Sequence, residues 1–276
     1  MPNGKDDSAG RLRAMDVEQH LADPAIRQRF VTTMFDVVAP RYDHFTRVFS
    51  FDMDREWKRE LAAAAAALAP HSGAVVLDLA CGTGDIAFAL AKRLAENGKG
   101  SGARILGLDA SSRMVDLANA RLAKAPCDGL SFRRGDIMAI DRPPASADIV
   151  SAGYALRNVP DFRAALHEIA RVLRPGGHLL TLDFYRPEHM VWRTLFTGYL
   201  TVAGNVVGWL WHREPVVYGY IAHSVQHFVS WQEFARALGA SGFEVTGVSR
   251  KLLGGIALHR ARRHGPSRGH GQGAQG

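Results

Sequence analysis

The apolar run Val75-Val76-Leu77 leads into Asp78-Leu79-Ala80-Cys81-Gly82-Thr83-Gly84-Asp85 and then turns at once to helical periodicity, which narrows the fold sharply. Glycines one residue apart between a strand and a helix let the backbone approach a ligand held at the helix N-terminus, where unsatisfied N–H groups point outward. Such a turn belongs at the carboxyl end of a strand in a parallel αβ sheet. The loop alone leaves its ligand open. Gly82-x-Gly84-x-x-Ala87 satisfies the dinucleotide fingerprint, and Asp109 at the end of the next strand could hold a ribose in a nicotinamide site as well.

Around this loop, short apolar runs alternate with helical patterns, the mark of βαβ units. Strands are expected at residues 75–79, 104–108, 130–133, 148–152 and 178–184, with helices at 86–94, 112–122 and 164–173 between them. The last of these helices is expected to stop at Pro175-Gly176-Gly177. Later in the chain, Ser230 and Glu233 form a capping box, and 243–248 with 255–260 read as a closing strand pair. The fold class is α/β: a Rossmann-like, doubly wound, mostly parallel sheet with a closing antiparallel strand.

Residues 1–24 and 264–276 read as disordered tails, because their polar and glycine-rich composition cannot bury enough surface to order itself. Residues 25–70 read as an N-terminal helical lid, and 71–263 as the ligand-binding domain with an apolar cap inserted near 186–229. The 276 residues are 47% hydrophobic, enough for one continuous core. The net charge of +7 favours anionic partners without bearing on the fold. Two cysteines, neither in a metal or redox spacing, fit a reducing cytoplasm. The uncharged stretch 195–211 contains glycines, Thr and Asn and is short for a bilayer span, so it reads as a cap element.

Three features favour S-adenosylmethionine (SAM) over a dinucleotide. Asp78 can receive the cationic amino end of a methionine, whereas a carboxylate there would repel a pyrophosphate. Asp136 and Ile137, after the third strand, offer a carboxylate and an apolar face to an adenine. The run Arg171 to Gly177 precedes the fifth strand in the expected order. Each has a plainer reading. Asp109 could cap the helix near Ser112, Asp136 could be a solvated turn residue, and Cys81 reads as a small residue fitting a tight loop rather than a nucleophile.

At these residues the chain resembles the ubiquinone/menaquinone biosynthesis C-methyltransferase family, over about residues 30–260. Shared features beyond the general motifs are Met34-Phe35-x-x-Val38-Ala39-x-x-Tyr42-Asp43, Trp57-Lys58, Leu156-Arg157-Asn158-Val159, Tyr218-x-Tyr220-x-x-x-Ser224 and Gly255-Ile256-Ala257-Leu258-His259-Arg260. Departures include Tyr42-Asp43-His44-Phe45-Thr46, Asp183-Phe184-Tyr185 after the fifth strand, and Gly153 where the family often has a serine on the cofactor. The resemblance implies a SAM-binding set of Tyr42, Asp78, Ala80, Gly82, Thr83, Gly84, Asp109, Ala110, Met114, Asp136, Ile137 and Gly153. It also implies a catalytic set of Arg157, Asn158 and Tyr218.

The implied reaction is methylation of a prenylated quinol ring in ubiquinone or menaquinone biosynthesis, with SAM as methyl donor and no metal. Arg157 is expected as a cation near the acceptor oxygen, or as the partner of an acid such as Asp161. Asn158 is expected to orient that oxygen. His223 and His227 share a helix face but lack a third metal ligand. The apolar side chains between 192 and 211 suit a prenyl tail or cap packing, and the basic balance suits peripheral contact with an anionic leaflet from the cytoplasmic side. Phospholipid N-methylation is the neighbouring alternative. A nucleic-acid-binding module rests only on charge and lacks aromatics for base stacking, and self-association is left open.

Overall fold

The computed structural model describes residues 31–36, 50, 52–212 and 216–265, with the side chains of 205, 207–212 and 216–219 left aside. Tyr42 and the Tyr218 side chain, both in the expected site, lie outside the described residues, as do 1–24 and 266–276 of the expected tails. Residues 31–36 are helical. Helix α1, Met53–Leu68, is alanine-rich and buries Trp57, Leu61, Ala62 and Ala65; it ends where Ala69, ahead of Pro70, takes an extended conformation.

Strand β1, Val75–Leu79, is buried along its whole length because it lies inside the sheet. Then follow α2 (Asp85–Glu96), β2 (Arg104–Asp109), α3 (Ser112–Lys124), β3 (Leu130–Arg134), β4 (Ala147–Gly153), α4 (Phe162–Val172) and β5 (Leu173–Phe184). The chain continues through α5 (Met190–His212), α6 (Val216–His227), α7 (Trp231–Ala240), β6 (Phe243–Lys251) and β7 (Ile256–Arg263). The seven strands lie in the order β3-β2-β1-β4-β5-β7-β6, parallel except for β7, which runs antiparallel to both β5 and β6.

Side chains alternate across the sheet, so Val76 joins a core shared with α1 and α2, whereas Leu77 and Leu79 join a core shared with α4 and α7. The strand order reverses at β1, whose neighbours are β2 and β4, and this opens a crevice at the strands' carboxyl ends. The ligand site sits there.

The fifth strand differs from its sequence reading. Asp161 caps α4 by accepting the Arg163 and Ala164 N–H groups, so the helix starts earlier and ends at Val172. Leu173 is already extended and pairs with Ala147. Residues 174–177, expected as a turn before the strand, form an irregularity within it: pairing jumps from Leu173 opposite Ala147 to His178 opposite Ile149. The uncharged stretch is the body of α5, packed against α6. Among the described residues no helix is long and apolar enough to cross a membrane.

Candidate active site

The carboxyl ends of β1 to β4 open onto one pocket of about 1070 Å³, its mouth included. That is the size of a typical small-molecule site. Leu79 to Thr83 form one wall, Asp109 to Ser111 with Met114 a second, and Gly135 to Met138 a third; Gly153, Tyr154 and Asn158 close the far end. Val31, Thr32 and Phe35 of the N-terminal helix and Lys58 of α1 also line it.

Two non-glycine residues with positive φ flank the crevice, Ala80 after β1 (φ 51°) and Tyr154 after β4 (φ 58°). Backbone strain of this kind costs on the order of 1–3 kcal/mol and gathers at functional sites. Asp109 Oδ2 accepts the Gly82 N–H at 2.8 Å and its Oδ1 the Ser111 N–H at 2.9 Å, so the carboxylate ties the glycine loop to the start of α3. Ser111 caps α3 through Met114 N and donates its hydroxyl to Asp36, which joins the N-terminal helix to the same corner. Asp136 Oδ1 accepts the Met138 N–H at 2.8 Å, so the residue both builds a turn and faces the pocket.

Two residues of the expected SAM set stand behind the wall. Gly84 has φ 91°, and a Cβ there would lie 2.7 Å from the Phe132 ring, so its glycine serves the turn and the packing beneath. Asp78 is fully buried. Its Oδ1 accepts the Ser151 hydroxyl at 2.7 Å, and its Oδ2 has no hydrogen-bond partner. Burial pushes this carboxyl up to about 7, against the Ser151 hydrogen bond and the nearby Ala87 N–H, and Asp109 and Asp85 add to the rise. An orphaned carboxylate oxygen at the base of the loop is a vacancy in hydrogen bonding that an ammonium group would satisfy, so these residues fit SAM. Cys81 beside it is held inert, since burial pushes its thiol well above the ordinary range and Asp78 and Asp109 add to that.

At the far end, Asn158 lines the pocket while Arg157 turns away from it. Arg157 Nη1 donates to Asp183 Oδ1 at 2.6 Å, its backbone N–H reaches Asp183 Oδ2 at 3.2 Å, and its Nε donates to Ser224 at 3.4 Å. The expected acid, Asp161, is occupied as the α4 cap. The partner is instead Asp183, near the end of β5. Both members of this pair are buried. Asn158 Nδ2 donates to the Tyr154 carbonyl at 2.9 Å, and Asn158 Oδ1 accepts the Tyr220 hydroxyl at 3.0 Å. Neighbouring residues 157 and 158 are thus held by Ser224 and Tyr220, one turn apart on α6. The two sequence motifs they belong to are the halves of one joint.

Sequence reasoning gave no role to Ile86, Ser151 or Lys58, the last noted only as part of the Trp57-Lys58 motif. A Cβ on Gly153 would fall 2.3 Å from Ile86 Cδ1, so the isoleucine fills the space a serine would need. Lys58 Nζ lies 3.0 Å from Asp54 and 3.2 Å from Asp85, pinning α1 to the helix that follows the glycine loop. Burial alone would raise Asp85, but Lys58 and Arg121 outweigh it and hold its carboxyl low. The i,i+4 spacing of Asp54 and Lys58 was the one legible sign of this link. His223 and His227 stack at 4.1 Å with Nδ1 of His227 on the His223 carbonyl. Among the described residues no three metal-ligating side chains converge.

Sheet order, glycine loop and orphaned Asp78 together define a SAM-dependent methyltransferase of the Rossmann-like class. A solved SAM-dependent methyltransferase from Aquifex aeolicus shares the fold at TM-score 0.52 and 18% identity, over 74% of this chain and 88% of that one. The chain belongs to the ubiE/COQ5 methyltransferase family, whose match spans residues 24–263. It is 34% identical to a demethylmenaquinone methyltransferase of Lactiplantibacillus plantarum, over 83% of this chain and 94% of that protein. It is 36% identical to a demethylmenaquinone methyltransferase of Deinococcus radiodurans, over 86% and 93%.

Proposed function

We propose that this enzyme methylates a ring carbon of a prenylated demethylmenaquinol. The observation that carries this reading is the likeness to demethylmenaquinone methyltransferases along nearly their whole length. The pocket supports it, because its far end is mostly apolar and presents one fixed amide, Asn158, among Tyr154, Ala155, Val159 and Pro160.

SAM, when bound, supplies a methyl group on a sulfonium, and the protein must hold an electron-rich carbon in line with it and keep water away. Asp78 would receive the amino end, Asp109 the ribose hydroxyls, and Asp136 with Ile137 the adenine. Ala80, Gly82, Thr83, Ala110, Met114 and Gly153 shape the walls between them. Asn158 has one amide N–H engaged by Tyr154 and keeps a second for the acceptor oxygen, so it orients the quinol without carrying charge. Arg157 acts through position: its pair with Asp183 fixes the backbone on which Asn158 stands. Nothing in these roles needs a metal.

Mass spectrometry of quinones from a strain lacking the gene tests the assignment. The expected result is a menaquinone precursor short of one ring methyl group, restored to menaquinone by the wild-type gene. A normal quinone profile with an altered phospholipid headgroup profile would overturn it.

A further inference from the structure

Trp57 is buried in the core that α1 shares with the sheet, and its neighbour Lys58 lines the SAM pocket. The described residues around that pocket include three acids, Asp85, Asp109 and Asp136, and a single cation, Lys58. Lys58 is only 8% exposed. A lysine is rarely buried so far unless its charge is matched. Asp54 at 3.0 Å and Asp85 at 3.2 Å match it, and Arg121, 2.7 Å from Asp85, shares the second acid. Two cations and two acids sum to zero, so this cluster does not turn an incoming anion away.

SAM carries a carboxylate and an ammonium on the same carbon, so the partners of both must stand at one end of the pocket. Asp78 near the end of β1 and Asp85 at the start of α2 flank the glycine loop, and Lys58 reaches the second of them. The loop's own N–H groups offer the carboxylate little. Cys81 N–H is engaged by the Leu108 carbonyl at 3.0 Å, Gly82 N–H by Asp109 at 2.8 Å and Gly84 N–H by the Cys81 carbonyl at 2.9 Å. The N-terminus of α2, which would otherwise attract an anion, already carries Asp85 in its first turn. Without a cation at the wall, three acids would favour a ligand that has no carboxylate at all.

We propose that Lys58 is a cofactor-binding residue that receives the methionine carboxylate of SAM, with Asp54 and Asp85 holding its ammonium in place. The inference rests on SAM as the methyl donor and is independent of the acceptor. Helix α1 then closes on the cofactor through the same side chain that ties it to α2.

The test is titration calorimetry, without any acceptor, using SAM and decarboxylated SAM, which keeps the sulfonium and the amine but lacks the carboxylate. The wild type should bind SAM at least about tenfold more tightly, the worth of one charge-assisted hydrogen bond. Lys58→Met, similar in length but uncharged, should lower SAM affinity by about that factor and leave decarboxylated SAM bound as well as before or better, so that the preference disappears. Lys58→Arg, which keeps the charge, should keep the preference. A lysine that only pins α1 predicts equal losses on the two ligands in Lys58→Met, and that result would overturn the proposal. A wild type that binds the two ligands equally would overturn it too, whether or not Lys58→Met folds. Failure of the wild type to bind either ligand would instead overturn the SAM reading beneath it.

Discussion

With no donor on Oδ2, Asp78 holds its proton until about pH 7, and above that the ligand-free protein keeps an unpaired charge in its interior. Bound SAM would reverse the balance by supplying a cation to that oxygen. Asp78→Asn, of the same shape, should therefore raise the melting temperature of the ligand-free protein at pH 8 while calorimetry shows SAM affinity at least about tenfold lower, the worth of one charge-assisted hydrogen bond. Unchanged affinity in the folded variant would remove Asp78 from the cofactor site. The sequence made Asp78 legible because it abuts a glycine loop whose geometry is local. It could not show that Gly84 faces Phe132, or that Ile86 crowds Gly153, since those contacts depend on how helix and strands stack. The acid that pairs with Arg157 was sought at Asp161 and missed for a similar reason: the partner, Asp183, lies 26 residues on, across two neighbouring strand ends.

Among the elements, α6 has the clearest mechanical part, because Tyr220 and Ser224, one turn apart, reach the two residues that end the β4 side of the pocket. Tyr220→Phe leaves Asn158 Oδ1 buried without its donor, a loss of about 1–3 kcal/mol that loosens the amide without touching the nucleoside side. The expected outcome is a fall in kcat of about tenfold or more with SAM affinity unchanged, read by steady-state kinetics beside calorimetry. Equal losses in both would make Tyr220 a general fold contact. Strands β1 to β4 and helices α2 and α3 were legible to within a residue or two, because apolar period and glycine punctuation are local properties. The start of β5 was misread because Pro175-Gly176-Gly177, a turn signal alone, is absorbed here as an irregularity against β4. The joint between α6 and the loop after β4 was invisible for its distance of more than sixty residues.

For the molecule as a whole, two buried groups set opposing pH dependences over the same range. His259 on β7 ties three elements together: its Nε2 donates to the Trp231 carbonyl at 3.0 Å, which leaves Nδ1 to accept the Tyr185 hydroxyl at 3.2 Å. Burial lowers its pKa to about 4, only partly offset by the Trp231 carbonyl, so the folded state keeps it neutral while the unfolded chain takes up a proton below 6.5. Stability from His259 is therefore full above 6.5 and is lost as pH falls, by about 2 kcal/mol between 6.5 and 5. Half-buried His178, also lowered by burial, adds in the same direction. Asp78 works the other way. Its folded carboxyl binds a proton up to about 7, whereas the unfolded one lets go near 3.8, so stability rises by about 2 kcal/mol as pH falls from 7 to 5. The paired carboxylates Asp85 and Glu233, held low, lose their contribution at still lower pH. Urea unfolding of the ligand-free wild type should then vary by no more than about 1 kcal/mol between pH 7 and 5. Each single substitution should expose the other group: Asp78→Asn should lose about 2 kcal/mol over that range, and His259→Gln, which can keep both hydrogen bonds, should gain a similar amount. If Asp78→Asn instead follows the wild type, the buried carboxylate does not hold a proton near neutrality. Its readiness for a cationic ligand would then have to come from a donor within the fold.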